Sequence, residues 1–129
     1  MQVLIAGPPL WVRMVRFRVA PRIPGIAMMA TEKYQEATNH ISTRLLSEAN
    51  TDIAVIHFGL GEMADAYTLV AKLQEAGRIT VIGVCPPEHE AGMRDAGCHA
   101  VVTDPQSYGS VADLIVVYIR GIKSTPNPA

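Results

Sequence analysis

The sequence has few cysteines, few aromatic residues and few charges for its length. Of its 129 residues, 5% are aromatic and 18% are charged, below the roughly one quarter charged that is typical of soluble domains. The formal net charge is -1, so no overall field favours nucleic acid or an anionic membrane. The two cysteines, Cys85 and Cys98, come with no signature of secretion. We therefore expect a cytoplasmic protein without a disulfide.

Long hydrophobic runs are also missing. No run approaches the ~20 apolar residues that a membrane helix needs, and the sequence predicts no contact with a membrane. The opening MQVLIAGPPL has no basic segment before it, so it is not a signal peptide and its pattern is that of a buried strand. Hydrophobic residues make up 49% of the chain, which is enough for the core of one domain of ordinary size.

Short apolar runs alternate along the chain with stretches of helical periodicity. A run without polar alternation is typical of a parallel strand that is buried on both faces. Five such runs predict strands at 3–6, 26–30, 53–56, 79–84 and 100–102. Five β-α units of this kind predict an α/β domain with a parallel sheet, helices on both faces and right-handed crossovers.

Helices are predicted between and after these strands. The first is opened by Pro8 or Pro9 and carries Leu10, Met14 and Phe17 on one face. Thr31 is predicted to cap the second helix, and Ser107 or Ser110 the last. A short helix is also predicted over 88–96. The other helices are indicated by apolar residues at helical spacing, which are Tyr34, Ala37, Ile41 and Leu45 in the second; Met63, Ala66, Tyr67, Val70 and Leu73 in the third; and Val111, Leu114, Ile115, Tyr118 and Ile119 in the last.

The domain is predicted to span residues 1–122. The last seven residues, 123–129, read KSTPNPA and have the composition of a linker. We expect this tail to lead to an output domain that is not part of this chain.

Four segments at the predicted strand ends resemble the receiver domains of response regulators. They are VLIAGPPLWVR at 3–13, IPGI at 23–26, DIAVIHFGLGEMAD at 52–65 and MRDAGCHAVVTDP at 93–105. The resemblance covers residues 2 to about 121. It implies a flavodoxin-like, three-layer sandwich with a five-stranded parallel sheet in the order 2-1-3-4-5.

The resemblance also implies a phosphorylation pocket, and this sequence departs from it throughout. Receivers hold Mg²⁺ with an acidic pair and phosphorylate an aspartate, while a Thr or Ser and a Lys contact the phosphoryl group. In this sequence the acidic pair corresponds to Gly7 and Pro8, and the phosphorylated aspartate corresponds to His57. The Thr or Ser corresponds to Cys85, with Val84 as the alternative, and the Lys corresponds to Asp104. The aromatic residue of the fifth strand corresponds to Val101.

These departures imply a degenerate receiver without Mg²⁺-dependent phosphorylation. We expect no catalytic, cofactor-binding or metal-binding residues, and a regulatory module of signal transduction or transcription control that is not an enzyme. It would act by binding a protein partner or a second copy of itself, without direct contact to nucleic acid. The candidate interface residues lie on the last helix and are Tyr108, Val116, Val117 and Arg120. For Val116 and Val117, deep burial of that helix is the alternative.

Two alternatives remain open from the residues. A small ligand, cobalamin-like or anionic, could bind at the topological switch point of such a sheet, although the D-x-H-x-x-G signature of cobalamin domains is absent because Val55 stands two positions before His57. An enzyme could use His57, Cys85 and Asp104, but no oxyanion hole is apparent. A hydrogen bond between His57 and Asp104 is a further hypothesis.

Overall fold

A computed structural model of the chain describes residues 2–31, 52–60, 63–75, 79–104 and 108–124. Its five strands form one parallel sheet in the order β2-β1-β3-β4-β5, and the predicted order is confirmed. Their bounds are β1 Gln2–Ala6, β2 Ala27–Thr31, β3 Ile53–His57, β4 Thr80–Val84 and β5 Ala100–Val102. Each strand lies within one residue of its predicted position at either end.

Helices connect the strands. Their bounds are α1 Pro9–Val19, α2 Met63–Glu75, α3 Glu90–Ala96 and α4 Tyr108–Ser124, with short 3₁₀ turns at Phe58–Leu60 and Pro87–His89. The helix predicted after Thr31 lies outside the described residues, and Thr31 itself ends β2. Ser110 lies inside α4, so its prediction as a cap is wrong, and Ser107 lies outside the described residues.

The sheet separates two hydrophobic cores. Val3, Ile5 and Val55 point to the side where α1 and α4 pack, while their chain neighbours Leu4 and Ala54 point to the side of α2 and α3. Side chains alternate between the faces of a strand, so apolar residues at every position serve both cores. All five residues of β3 are buried, and the fold is the expected flavodoxin-like sandwich of three layers.

Helix α1 is apolar on two sides. Its buried residues are Trp11, Val12, Val15 and Val19. The face formed by Leu10, Met14 and Phe17 turns away from this core, with Leu10 71% exposed and Phe17 75% exposed.

Helix α4 packs against both the sheet and α1. Its buried face is therefore wider than a single apolar stripe. Val116 is fully buried between them, whereas Val117 is 62% exposed. The prediction of Val116 as an interface residue is therefore wrong, since a partner could reach it only by opening the core. Helix α4 continues through Ser124, and the proposed boundary at 122 stays a prediction. Within the described ranges, no helix is long and apolar enough to cross a membrane.

Candidate functional site

The residues singled out at the strand ends come to one edge of the sheet. Gly7 directly follows β1, His57 is the last residue of β3, and Cys85 directly follows β4. Asp104 lies two residues beyond β5. Because the strands are parallel and in register, their carboxyl ends meet at the same edge. The expected grouping of these positions at that edge is therefore present.

The His57 ring is enclosed by its neighbours and is only 5% exposed. The Trp11 ring meets it edge-on with centroids 4.7 Å apart, and the Phe58 ring stacks on it at 5.0 Å. The backbone N–H of Gly59 donates a hydrogen bond of 2.9 Å to its Nδ1. This hydrogen bond and the two ring contacts hold the His57 side chain in one orientation.

Trp11 fills the space above Gly7. A Cβ atom built on Gly7 would lie 2.7 Å from Cε3 of Trp11, 3.0 Å from its Cζ3 and 3.3 Å from Cβ of His57. Non-bonded carbon atoms rest at roughly 3.5–4.0 Å, so any side chain at Gly7, a carboxylate included, overlaps the indole. Sequence reasoning missed this contact. The available signal was the chain's single tryptophan, four residues after a strand-end glycine.

Both cysteines are free, buried thiols. Burial raises the pKa of the Cys85 thiol, and the nearby carboxylates of Glu90 and Glu88 raise this pKa further. Burial also raises the pKa of Cys98 to about 12. A thiol reacts as its thiolate, so both side chains are weak nucleophiles at neutral pH. The site offers no activated cysteine to an enzyme.

Asp104 is exposed at the rim of this edge. The predicted match of Asp104 to the lysine of receivers stays a prediction. The hydrogen bond between Asp104 and His57 stays a prediction. Among the described residues, no group of three or more His, Cys, Asp or Glu side chains is placed to hold a metal ion.

The three remaining interface candidates lie on α4. The guanidinium of Arg18 lies 5.0 Å above the ring of Tyr108, so one face of that ring is already covered within the chain. Val117 and Arg120 are both exposed and are three positions apart, which places them on neighbouring parts of the helix surface. Among the α4 residues whose side chains are described, Val117 is the exposed large hydrophobic residue.

No family model and no curated protein matches this sequence. Solved structures match over nearly the whole length. The receiver domain of the TMAO respiratory system response regulator TorR has a TM-score of 0.74 at 13% identity, covering 94% of this chain and 98% of that chain. The chain has the fold of response-regulator receiver domains. The phosphorylated cyanobacterial phytochrome response regulator RcpA gives 0.76 at 12% identity, with 99% and 98% covered.

A third receiver-fold match is an atypical orphan response regulator described as revealing a phosphorylation-independent regulatory mechanism. It has a TM-score of 0.72 at 17% identity, covering 93% of this chain and 96% of that chain. Identities this low establish the receiver fold alone, and function has to be inferred from the residues at the sheet edge.

Proposed function

We propose that this chain is a regulatory module of signal transduction or transcription control that works without phosphorylation, by associating with a protein partner or a second copy of itself. The observation that carries the proposal is the Trp11 ring, which occupies the space over Gly7, the position that the resemblance matches to a metal-binding acid of receivers. The proposed setting is the cytoplasm, and the proposed role is binding, without catalysis.

The chemistry of the neighbouring positions supports the same proposal. An acyl phosphate needs a carboxylate, and His57 at the end of β3 supplies an imidazole that Trp11 and Phe58 enclose. Mg²⁺ needs oxygen ligands, which the side chains of Gly7 and Pro8 lack. Phosphoryl transfer also needs positive charge near the developing negative charge, whereas Asp104 is negative.

In ordinary receivers the phosphoryl charge biases an equilibrium between two states. Without that charge, the state of this domain would be set by its own packing or by what it binds. Val117 and Arg120 on the outer side of α4 are the proposed contact. The alternative of an enzyme based on His57, Cys85 and Asp104 is not favoured, since burial raises the pKa of the thiol.

The proposal is tested by treating the full chain with acetyl phosphate and Mg²⁺ and, separately, with beryllofluoride. Intact mass and light scattering after size exclusion are then measured, with an ordinary receiver treated in parallel as the positive control. We expect no added phosphoryl group and no change in molar mass or melting temperature. Phosphorylation at His57, or a shift in mass or stability with beryllofluoride, would show that the altered pocket still senses an anion.

The association surface is tested with Val117→Glu, using Ala71→Glu as the control, because Ala71 is exposed on α2 at the opposite face of the sheet. If the wild-type chain is a dimer, Val117→Glu should raise its dissociation constant at least roughly tenfold, because a carboxylate would be buried without a partner. An unchanged dimer in Val117→Glu would place the contact elsewhere. If the wild-type chain is a monomer, the same pair of variants is compared for binding to the partner.

A further inference from the structure

A groove lies between α1 and β2, which is the edge strand of the sheet. Its volume is about 500 Å³, within the roughly 300–1,000 Å³ of small-molecule sites. On the helix side it is lined from Pro9 to Ala20, a length of roughly 16 Å at 1.5 Å per residue. Small side chains keep it open, because Ala20 on one side and Ala30 of β2 on the other are too short to fill the gap.

All of the charge in this groove is positive. Arg13 and Arg16 line it, and the described residues that line it include no acid. Helix α1 itself contains no acid either. Within the described part of the chain no carboxylate pairs with Arg13 or Arg16, in contrast to Arg22, which binds Asp113. The two guanidinium groups therefore lack a counter-charge among the described residues.

The spacing of Arg13 and Arg16 suits a single anion. They are three positions apart on one helix, which brings their side chains to the same side, where their like charges repel each other. An arginine presents a fork of N–H donors that matches the oxygens of a carboxylate or a phosphate. Both side chains are exposed, so an anion can reach them from solvent without opening the core.

Beside the arginines the lining is apolar. Val12 is buried, Met28 is partly buried and Phe17 is exposed, so apolar surface extends from the base of the groove to its rim. An inorganic anion would leave this surface in contact with water, whereas a ligand with an apolar body would cover it. The lining thus calls for a ligand that combines an acidic group with an apolar body.

We infer that this groove binds a small organic anion, in which a carboxylate or a phosphate monoester is carried on an apolar body. Arg13 and Arg16 hold the acidic group, and the apolar surface beside them covers the body. None of His57, Cys85 and Asp104 lines the groove. The inference goes beyond the proposed function, and it depends neither on phosphorylation nor on how the domain associates.

The charge requirement is tested with 3-phenylpropionate and 3-phenylpropionamide. They share one apolar body, and only the acid is charged at neutral pH. Binding is followed through the backbone amide signals of the full ¹⁵N-labelled chain, with shifts expected along α1 and β2. We expect 3-phenylpropionate to bind saturably with a dissociation constant of about 5 mM or below, as is usual for a ligand of its size. The amide should bind at least roughly tenfold more weakly.

Two further probes examine the anion and the body. 2-Phenylethyl phosphate presents a phosphate monoester in place of the carboxylate, and the tighter of the two acidic probes identifies the preferred group. Inorganic phosphate lacks the apolar body and should bind at least roughly tenfold more weakly than 2-phenylethyl phosphate. Equal binding of these two phosphates would contradict the apolar part of the inference.

Variants locate the binding. Arg13→Gln and Arg16→Gln should each weaken binding of 3-phenylpropionate at least roughly threefold, and neither should change the weak binding of the amide. Arg18→Gln is the control, because it removes the same charge from the same helix outside the residues that line the groove, and binding should stay within about twofold. Ala30→Leu fills the groove without changing its charge and should weaken binding of both acidic probes. All four side chains are exposed, so the variants leave the core undisturbed.

Three results would overturn the inference. The first is no saturable shift along α1 and β2 with either acidic probe. The second is equal affinity for 3-phenylpropionate and its amide, which would leave the arginines without a role. The third is unchanged binding of 3-phenylpropionate in the double variant Arg13→Gln/Arg16→Gln, which would place the anion elsewhere on the chain.

Discussion

Replacing Gly7 with alanine adds one methyl group at the point where α1 lies against the end of β1. That methyl carbon would lie 2.7 Å from Cε3 of Trp11, 3.0 Å from Cζ3 and 3.3 Å from Cβ of His57. Gly7 is not among the described glycines with a positive φ, so alanine meets no backbone strain there. Most of the effect of the substitution is expected to come from the indole, because its two contacts are shorter than the contact with His57.

The expected loss of stability follows from how the indole responds to the added methyl group. Overpacking a core by one methyl group costs about 1–3 kcal/mol. If the Trp11 ring retreats, it also loses part of its edge-on contact with His57, which is worth about 0.5–1.5 kcal/mol for an aromatic pair. We expect Gly7→Ala to lower the free energy of unfolding by about 2 kcal/mol. In the background of Trp11→Leu, which removes the ring, the same change should cost less than about 0.5 kcal/mol.

Urea unfolding followed by far-ultraviolet circular dichroism measures all four members of this cycle. A loss of about 2 kcal/mol lowers the unfolding midpoint by roughly 1 M. Gly121→Ala is the control, because a Cβ there has nothing within 4 Å, and its effect should be a gain of about 0.5–1 kcal/mol from helix propensity. The reasoning is refuted if Gly7→Ala leaves the midpoint unchanged, or if its cost is the same with and without Trp11.

Three further predictions use the same unfolding assay. The pKa of Cys98 is raised from 9.0 to about 12, so the stability that the protonated thiol contributes is complete below pH 9 and is lost as the pH rises toward 12. Relative to Cys98→Ala, the wild type should lose about 1 kcal/mol of unfolding free energy by about pH 10. Parallel pH profiles of the two proteins would contradict this. Val116→Ala should cost about 2 kcal/mol because the side chain is fully buried, while Val117→Ala should stay within about 0.5 kcal/mol, and equal effects would contradict their placement. Asp113→Asn breaks the ion pair between Asp113, whose side chain is 68% exposed, and Arg22, whose side chain is 39% exposed. The substitution should lower the free energy of unfolding by less than about 1 kcal/mol, and this loss should fall with added salt. A larger loss that does not depend on salt would contradict this.

The sheet could be predicted from the sequence because its strands carry their signal in continuous runs. In β3, Ile53–His57, every residue is buried, and such a run has few alternatives to a central parallel strand. The strand order came from the resemblance to receivers, and it is confirmed. The grouping of Gly7, His57 and Cys85 followed as well, since parallel strands bring their carboxyl ends to one edge.

The orientation of α1 could not be predicted in the same way. Leu10, Met14 and Phe17 recur at helical spacing, and so do Trp11 and Val15 on the other side of the helix. Periodicity identifies apolar faces without saying which one meets the sheet. Only the packing against the β1 and β3 side chains shows that the Trp11 face is buried.

The position of the Trp11 ring over Gly7 could not be predicted from the sequence for a related reason. The sequence shows that Gly7 and His57 lack the functional groups of a receiver, but a missing group leaves the shape of the space unspecified. That shape depends on the direction of the Trp11 ring and on the hydrogen bond from Gly59 to His57. The direction of the Trp11 ring depends on its contact with His57, which is distant in sequence, so no local pattern encodes it. For Val116 the sequence left burial and an interface both open, and packing of α4 against both the sheet and α1 decides for burial.

The contact between Trp11 and Gly7 opposes receiver chemistry at this edge of the sheet. An acid at Gly7 would overlap the indole at its first side-chain carbon. Shortening Trp11 first would relieve the overlap but would leave a hole beside His57, at the cost of about 3–5 kcal/mol that large-to-small changes of buried aromatics carry. Each substitution is therefore destabilising on its own, and only the two together would make room for an acid without the overlap.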